Sequence, residues 1–594
     1  MIKVKLTNHY TGPNVISEGP LLIFRINYTD QAIKAAKSCI PKINILLDDF
    51  NFWDQKNPNR PSDIVMFFDQ FITSFLKKDK ELIIKLIIIN DKSFDLAVGY
   101  YNERITISIL ELCTKLITHT SMLTNEKIFN SIILIENKIA KIRPDFQIQF
   151  LINYAKKKKI PFNRAFTNNS ELPFWQFGWG EYSNIFFESS FMEDSYMGRK
   201  WIQNKIFTKN IFNLLGLRTP EYGVAFSNDT ITETISKIGF PCVVKPVDGH
   251  RANGVTTNIN NNDELINAIE YAKTFTTKKV MIEKFIEGEV YRIMIIRGRF
   301  WCAIKREAAH VISDGKSSIE ELIMKYNIKL EHQSQKLNIP SKIEINNDVN
   351  KQLKIQNIDL CQVLPKGQKV KLQSIPLLSS GAVYTDATKK INPEIIIACE
   401  ALAMQLGIQS CGIDFITKNI SSSLTEDGYF IELNATPGLR VPLAAGINED
   451  IIGEKIIGDK VDSIPLNLII CDSSLHKKIF EKISLNQNQG WIFEKKSGIG
   501  KIEFQSDQNV TINKLFNKII RYKNCKTVFV LCDYKDLMNE GLPFLKIVNS
   551  WVVKNELFTS EWCNVIKTHS THYKEVDSIE EITEYFFTDN TTPN

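Results

Sequence analysis

Apolar positions along the chain switch between two periods. In the first 160 residues, short apolar runs (LLIFRINY at 21–28, INILLDDF at 43–50) alternate with stretches whose apolar residues recur every three or four positions. The latter include PSDIVMFFDQFITSFLKK at 61–78 and ISILELCTKLITH at 107–119. Short runs predict strands and the 3.6-period stretches predict helices, so this part reads as α/β or α+β. A helical Glu/Lys/Ile segment ends at Pro161, and a polar, aromatic stretch follows to Gly180, which places a domain boundary there and a first domain at 1–161. From 162 to 466, strand, turn and helix alternate repeatedly, with strands expected in PCVVKPV, KVMIEKFI, YRIMIIRG, FWCAIKRE, CGIDFITK and YFIELNA. A third domain, 467–594, opens on the run IPLNLIICD, continues as a helix and returns as KTVFVLCDY. This pattern predicts a small open sheet with helices on it and a frayed tail, TDNTTPN. The expected class is α/β and α+β multidomain.

Length agrees, because 594 residues exceed a single core and predict several packed units. Hydrophobic residues at 43% and charged residues at 24% are those of a globular chain and exclude a disordered one. The net charge of +6 is dispersed, and no Lys/Arg stripe interleaved with aromatics marks a nucleic-acid surface. Lys156 to Lys159 form the densest basic run and read as a solvated helix end or linker. No signal peptide or spanning segment is present, so a cytoplasmic protein without membrane contact is expected. The 11 Cys residues are scattered singly, which predicts reduced, mostly buried thiols and neither a zinc site nor a disulfide framework.

Three stretches of the middle segment carry candidate chemistry. In FIELNATPG, Glu432 and Asn434 are two apart on a strand and so project together, while Leu433 turns into the core. Asp414, in CGIDFI, sits on a comparable strand, and the turn Glu426-Asp427-Gly428 can bring the two strands together. Two carboxylates and an amide oxygen make a half-shell for Mg²⁺. KPVDGHRANG, from Lys245 to Gly254, puts a lysine at a strand end before a loop whose glycines let backbone N–H groups approach oxyanions. In KVMIEKFIEGEVYRI, Glu283 and Glu289 flank a bend beside Phe285 and Ile286, an arrangement that suits an adenine amino group and a ribose hydroxyl.

These stretches, in this order, resemble the ATP-grasp superfamily, and the cyanophycin synthetase family in particular. The likeness begins at YTGPNVIS and passes through SSFMEDSYMGRKWIQNKIFTKNIFNLLGLRTPEYG, VVKPVDGHRANGV, AAHVISDGKSSIEELI, QVLPKGQKVKL and LSSGAVYTDAT to GIDFITKNISSSL and FIELNATPGLR. The resemblance implies an ATP-grasp fold at 162–466 and a set of roles. Lys205 and Lys245 would hold the ATP phosphates, with Gly249, His250, Arg251 and Gly254 in the covering loop. Glu283, Lys284, Phe285 and Glu289 would surround adenine and ribose. Asp414, Glu432 and Asn434 would hold two Mg²⁺ ions. Arg306 would stabilise an acyl phosphate, and Ser379, Ser380 and Gly381 would cradle the carboxylate being activated. The implied reaction is ATP-dependent formation of an amide bond by a homo-oligomer, a dimer or tetramer, on an amino-acid or peptide substrate.

The chain also departs from that family. Where a Mur-ligase-like unit with a GxxGKT loop would follow, IPLNLIICDSSLHKKIF has no glycine for a phosphate cradle, so a degenerate, silent unit is expected at 467–594. YNERITISILELCTKLI lacks the histidines of a metal-binding helix. The family's histidine and arginine positions in the loop after Lys245 appear as Arg251 and Asn253, and Ala252 replaces a glycine. Beside a cyanophycin-type enzyme, the sequence therefore leaves open a ligase that adds a single residue to a small acid, and a non-catalytic ATP-binding scaffold.

Overall fold

The structure is a computed structural model that describes residues 2–46, 61–76, 84–90, 92–100, 103–119, 124–165, 174–225, 227–249, 252–276, 279–339, 341–482, 486–505, 510–556 and 558–588. Its contacts divide into two compact units. One gathers Met1–Arg143, Lys159–Ser183 and Lys460–Asn594, and the other Pro144–Lys158 and Asn184–Asp459.

In the first unit, the strands Lys3–Tyr10, Leu21–Asn27, Ser93–Gly99 and Ile84–Asn90 form an antiparallel sheet in that spatial order. LLIFRIN is apolar without alternation from Leu21 to Phe24 because both faces of its strand are covered there, while Arg25 and Asn27 are exposed at its end. Leu22, Phe24 and Ile26 pack with Phe67, Phe68 and Phe71 of the helix Pro61–Leu76, while Leu21 and Ile23 pack with Leu466 and Leu468. Residues 43–46 of the INILLDDF run end the helix Asp30–Leu46 instead of forming a strand, and 47–50 lie outside the described residues. That helix buries Ala32, Ile33, Ala36 and Cys39 at helical spacing.

The same unit holds a seven-stranded sheet. Five of its strands, Gln489–Phe493, Thr527–Cys532, Leu466–Ile470, Ile547–Val553 and Ser570–Val576, are parallel neighbours in that order, and a hairpin edge is added by Lys496–Ile499 and Ile502–Phe504. Parallel strands are covered on both faces, which accounts for the apolar runs Leu468–Ile470 and Val528–Cys532.

The second unit presents two antiparallel sheets, each with one face packed on a long helix. Thr256–Ile259, Cys242–Pro246, Val280–Lys284 and Tyr222–Ala225 make a four-stranded sheet, and Cys242, Val244, Val280 and Ile282 face the helix Asn262–Lys273. Val383–Asp386, Arg299–Glu307, Glu289–Ile296, Ser410–Thr417 and Tyr429–Asn434 make a five-stranded sheet. Tyr291, Ile293, Ile413 and Leu433 on it face Cys399, Leu402 and Leu406 of the helix Pro393–Leu406. The remaining face of each sheet carries the charged residues. The helix Lys205–Leu214, capped by Asn204 accepting from Ile206 N and Phe207 N, reaches residues of both sheets. The basic run at 156–159 is the exposed end of the helix Phe146–Lys158 and the residue after it, with Lys157 paired to Asp450.

Nine cysteines are buried, Cys361 is exposed and Cys563 is half-buried. Among the described residues no helix is long and apolar enough to cross a membrane.

Candidate active site

Strand parity assembles the five-stranded side of the site. Asp414 is the register partner of both Arg292 and Glu432, Gly412 pairs with Asn434, and Arg306 pairs with Val290. Because residues two apart share a face, Arg306, Arg292, Asp414, Glu432 and Asn434 all lie on the face opposite the helix Pro393–Leu406. Gly412 makes room for this: a Cβ there would stand 2.8 Å from Arg292 Nη1, which instead donates to Gly412 O at 3.0 Å.

Asp414 Oδ1 takes two guanidiniums, Arg306 Nη1 at 3.1 Å and Arg292 Nε at 3.3 Å. Arg306 Nη2 donates to Pro376 O at 3.3 Å, which ties the loop before Ser379 to the strand. Burial works against the Arg306 charge, yet Asp414 and Tyr384 hold its pKa above the ordinary arginine value.

The four-stranded side supplies the lysines. Lys245 and Glu283 lie on the face opposite the helix Asn262–Lys273, 5% and 3% exposed, and Lys245 Nζ is 2.7 Å from Glu283 Oε2. Lys205, the first residue of its helix, donates to Gly249 O at 2.5 Å and stands 3.5 Å from Glu432 Oε1. One ammonium thus touches both the loop after Lys245 and the acidic strand of the other sheet.

Lys209, one helical turn further, is fully buried, with Nζ 2.9 Å from Glu283 Oε1 and 2.7 Å from Thr219 Oγ1. Burial lowers the Lys209 pKa to about 8, Glu283 opposing the fall and Lys245 adding to it. Burial would raise the Glu283 carboxyl, but the two ammoniums outweigh it and hold its pKa below the ordinary value.

Other expected contacts are placed differently. Glu283 is enclosed between Lys209 and Lys245, so its carboxylate is taken up by ammoniums and not presented to a base. Glu289 has the parity of Tyr291, on the face away from Asp414 and Arg306, where it accepts from Tyr291 Oη at 2.5 Å and pairs with Lys305. Lys284 is exposed and Phe285 half-buried beyond the strand end. His250 and Arg251 lie outside the described residues.

Gly249 and Gly254 are described. Gly254 has φ +70°, and a Cβ on it would lie 2.9 Å from Pro246 Cγ. Ala252 also adopts a left-handed φ, +60°, a conformation that costs a non-glycine residue about 1 kcal/mol or more. Ser379 and Ser380 end a 3₁₀ turn closed by Gly381 at φ +82°, whose carbonyl accepts from Tyr326 Oη at 3.1 Å.

Sequence reasoning passed over Lys209 and Arg292. Each had a signal: Lys209 follows Lys205 at i+4 on one helix face, and Arg292 shares strand parity with Val290, the partner of Arg306.

The carboxylates of Asp414 and Glu432 are directly opposed on neighbouring strands, a pairing that repels unless cations intervene. Arg292, Arg306 and Lys205 supply part of that compensation. Two hard carboxylates with the Asn434 amide oxygen beside them fit a divalent cation.

In the seven-stranded sheet, the strand Leu466–Ile470 passes within two residues into the helix Ser473–Lys482. Ser473 N, at the helix start, donates to Asp533 Oδ2 at 3.2 Å, so a carboxylate stands at the end where a phosphate would be drawn.

Cations and paired carboxylates thus gather on two antiparallel sheets, an arrangement similar in class to the ATP-grasp ligases. Residues 211–366, which include Lys245, Glu283 and Arg306, match the family described as D-ala D-ala ligase C-terminus. The particular likeness is to cyanophycin synthetase. The enzyme of Synechocystis sp. is 31% identical over 297 residues, which is 50% of this chain and 34% of that one. The glutathione biosynthesis bifunctional protein GshAB of Streptococcus mutans is 28% identical over 309 residues, 50% of this chain and 40% of that one. Among solved structures, a bifunctional glutathione synthetase from Pasteurella multocida aligns over 70% of this chain and 78% of that one, at 14% identity and a TM-score of 0.38. The chain spans about a third of the length of the cyanophycin synthetases it matches.

Proposed function

We propose that this protein is an ATP-dependent, ADP-forming ligase that activates a carboxylate as an acyl phosphate and joins it to an amine, extending an amino acid or peptide as cyanophycin synthetase does. The observation that carries this reading is the position of Lys205 Nζ, which touches both Gly249 O and Glu432. A cation there joins the loop that would cover the phosphates to the strand that would hold the metal.

In this reading Lys205 and Lys245 receive the ATP phosphates and draw charge from the γ-phosphoryl group as the substrate carboxylate attacks it. Arg306 faces the acyl phosphate, where its fixed guanidinium offsets charge that grows in the transition state. Ser379, Ser380 and Gly381, on the loop that Arg306 anchors through Pro376, would orient the carboxylate. Asp414, Glu432 and Asn434 would hold Mg²⁺, in one or two ions, which when bound neutralises phosphate oxygens. Glu283 serves the lysines in this scheme, and Glu289 has no part in it.

The test is release of phosphate from ATP by the purified protein with an unbiased mixture of amino acids and short peptides, with mass spectrometry of the products. Release that depends on those substrates is expected, and no release across the panel would overturn the reading. A ladder of masses marks a polymerase. One discrete mass marks a ligase that adds a single residue, the alternative favoured by Ala252 and Asn253 in the loop after Lys245.

A further inference from the structure

The buried charges behind Lys245 form a chain that the phosphate-binding role alone does not explain. Phe430 O accepts from Thr219 Oγ1 at 2.8 Å, Thr219 Oγ1 accepts from Lys209 Nζ at 2.7 Å, and Lys209 Nζ meets Glu283 Oε1 at 2.9 Å. The other oxygen of Glu283 meets Lys245 Nζ at 2.7 Å. Lys209, Glu283 and Lys245 are 0%, 3% and 5% exposed, so water screens none of these contacts effectively. The approach of Lys209 to Glu283 Oε1 lies outside hydrogen-bonding geometry, so the two interact chiefly as charges.

The arithmetic of charge gives the arrangement its purpose. A carboxylate paired one to one with Lys245 would cancel the charge that phosphates need and would hold the ammonium back from them. Shared between two ammoniums, the same carboxylate leaves a net +1 on the trio. With its pKa lowered only to about 8, Lys209 is charged at neutral pH and can supply the second cation.

Resting on the ligase reading above, we propose that Lys209 is a positioning residue for ATP: through the Glu283 carboxylate they share, it leaves Lys245 free to act as a cation toward the phosphates. The second anchor of Lys209, Thr219, bonds to the backbone of the strand that carries Glu432 and Asn434, so the same side chain spaces the phosphate lysine from the metal strand.

A double-mutant cycle on the full-length protein tests this, with the dissociation constant for ATP and the KM and kcat of phosphate release as readouts. Lys209→Met should weaken ATP binding about tenfold, a loss that falls on KM for ATP more than on kcat. In a Glu283→Gln background, where no carboxylate remains to trap Lys245, the same substitution should change ATP affinity by less than about twofold. An equal loss in both backgrounds, or none in the wild-type background, overturns the proposal while leaving the ligase reading intact. Wild-type protein that binds no ATP overturns both. Because packing around Thr219 is altered alike in both backgrounds, a purely structural role for Lys209 would give the additive result.

Discussion

Just after Lys245 the chain leaves a strand for a turn bearing Gly249 and Gly254, and at Ile470 it leaves another strand and enters a helix three residues later. Both are strand ends from which an α/β protein could address a phosphate. They differ in the charge their neighbours deliver. Around the first stand Lys209 and Lys245, which share Glu283, and Lys205 beside Glu432. At the second, Asp533 accepts from the first helical N–H, and Asp472 lies beside it in the turn. The two strand ends are thus told apart by the charges that other elements bring to them.

Removing the charges on which the cationic site depends should have the largest effects. Arg306→Ala should lower substrate-dependent phosphate release by about 100- to 1,000-fold, the usual cost of one transition-state donor. Glu432→Gln should lose activity on the same scale, through several kcal/mol of lost metal-mediated charge stabilisation at roughly 1.4 kcal/mol per factor of ten. A Glu432→Gln protein that keeps wild-type turnover would instead favour the scaffold reading.

A smaller effect separates the two turns. Gly254→Ala forces a left-handed φ on a residue whose Cβ would press on Pro246, and should cost about 1–3 kcal/mol in chemical denaturation. In the C-terminal sheet, Asp533→Ala removes an acceptor of both Ser473 N and Lys535 N, so a loss of about 0.5–2 kcal/mol is expected with phosphate release unchanged. A change in release would mean that the anionic strand end takes part in the reaction.

The smallest expected effect falls on Glu289→Gln, which should alter ATP affinity by less than about threefold. Its side chain is engaged with Lys305 and Tyr291 on the face away from Asp414. Its carboxyl pKa, which burial would raise, is lowered by those two partners, so the expected loss is in stability above the ordinary carboxylate range, where the paired charge contributes. A tenfold loss of ATP affinity would show that the strand parity misleads here.

What the sequence by itself determined was local. Period-two patterns placed the strands of Asp414, Glu432 and Lys245, and the spacing of Glu432 and Asn434 put them on one face. Such features are decided within a few residues, by side-chain alternation and backbone freedom.

Pairing across the chain belonged to the tertiary structure. EVYRI reads equally well with Glu289 or Val290 toward the site, because a one-residue shift of parity exchanges the faces, and the Val290 to Arg306 register chose Val290. Glu283 looked like a ligand for a base because its environment is made by Lys209, on a helix some seventy residues earlier, whose burial no local pattern records. Likewise, Leu21 and Ile23 of LLIFRIN are apolar beside Leu22 and Phe24 because Leu466 and Leu468, from the far end of the chain, cover their face. Charge compensation and burial depend on three-dimensional neighbours, and those neighbours exist only once the chain has folded.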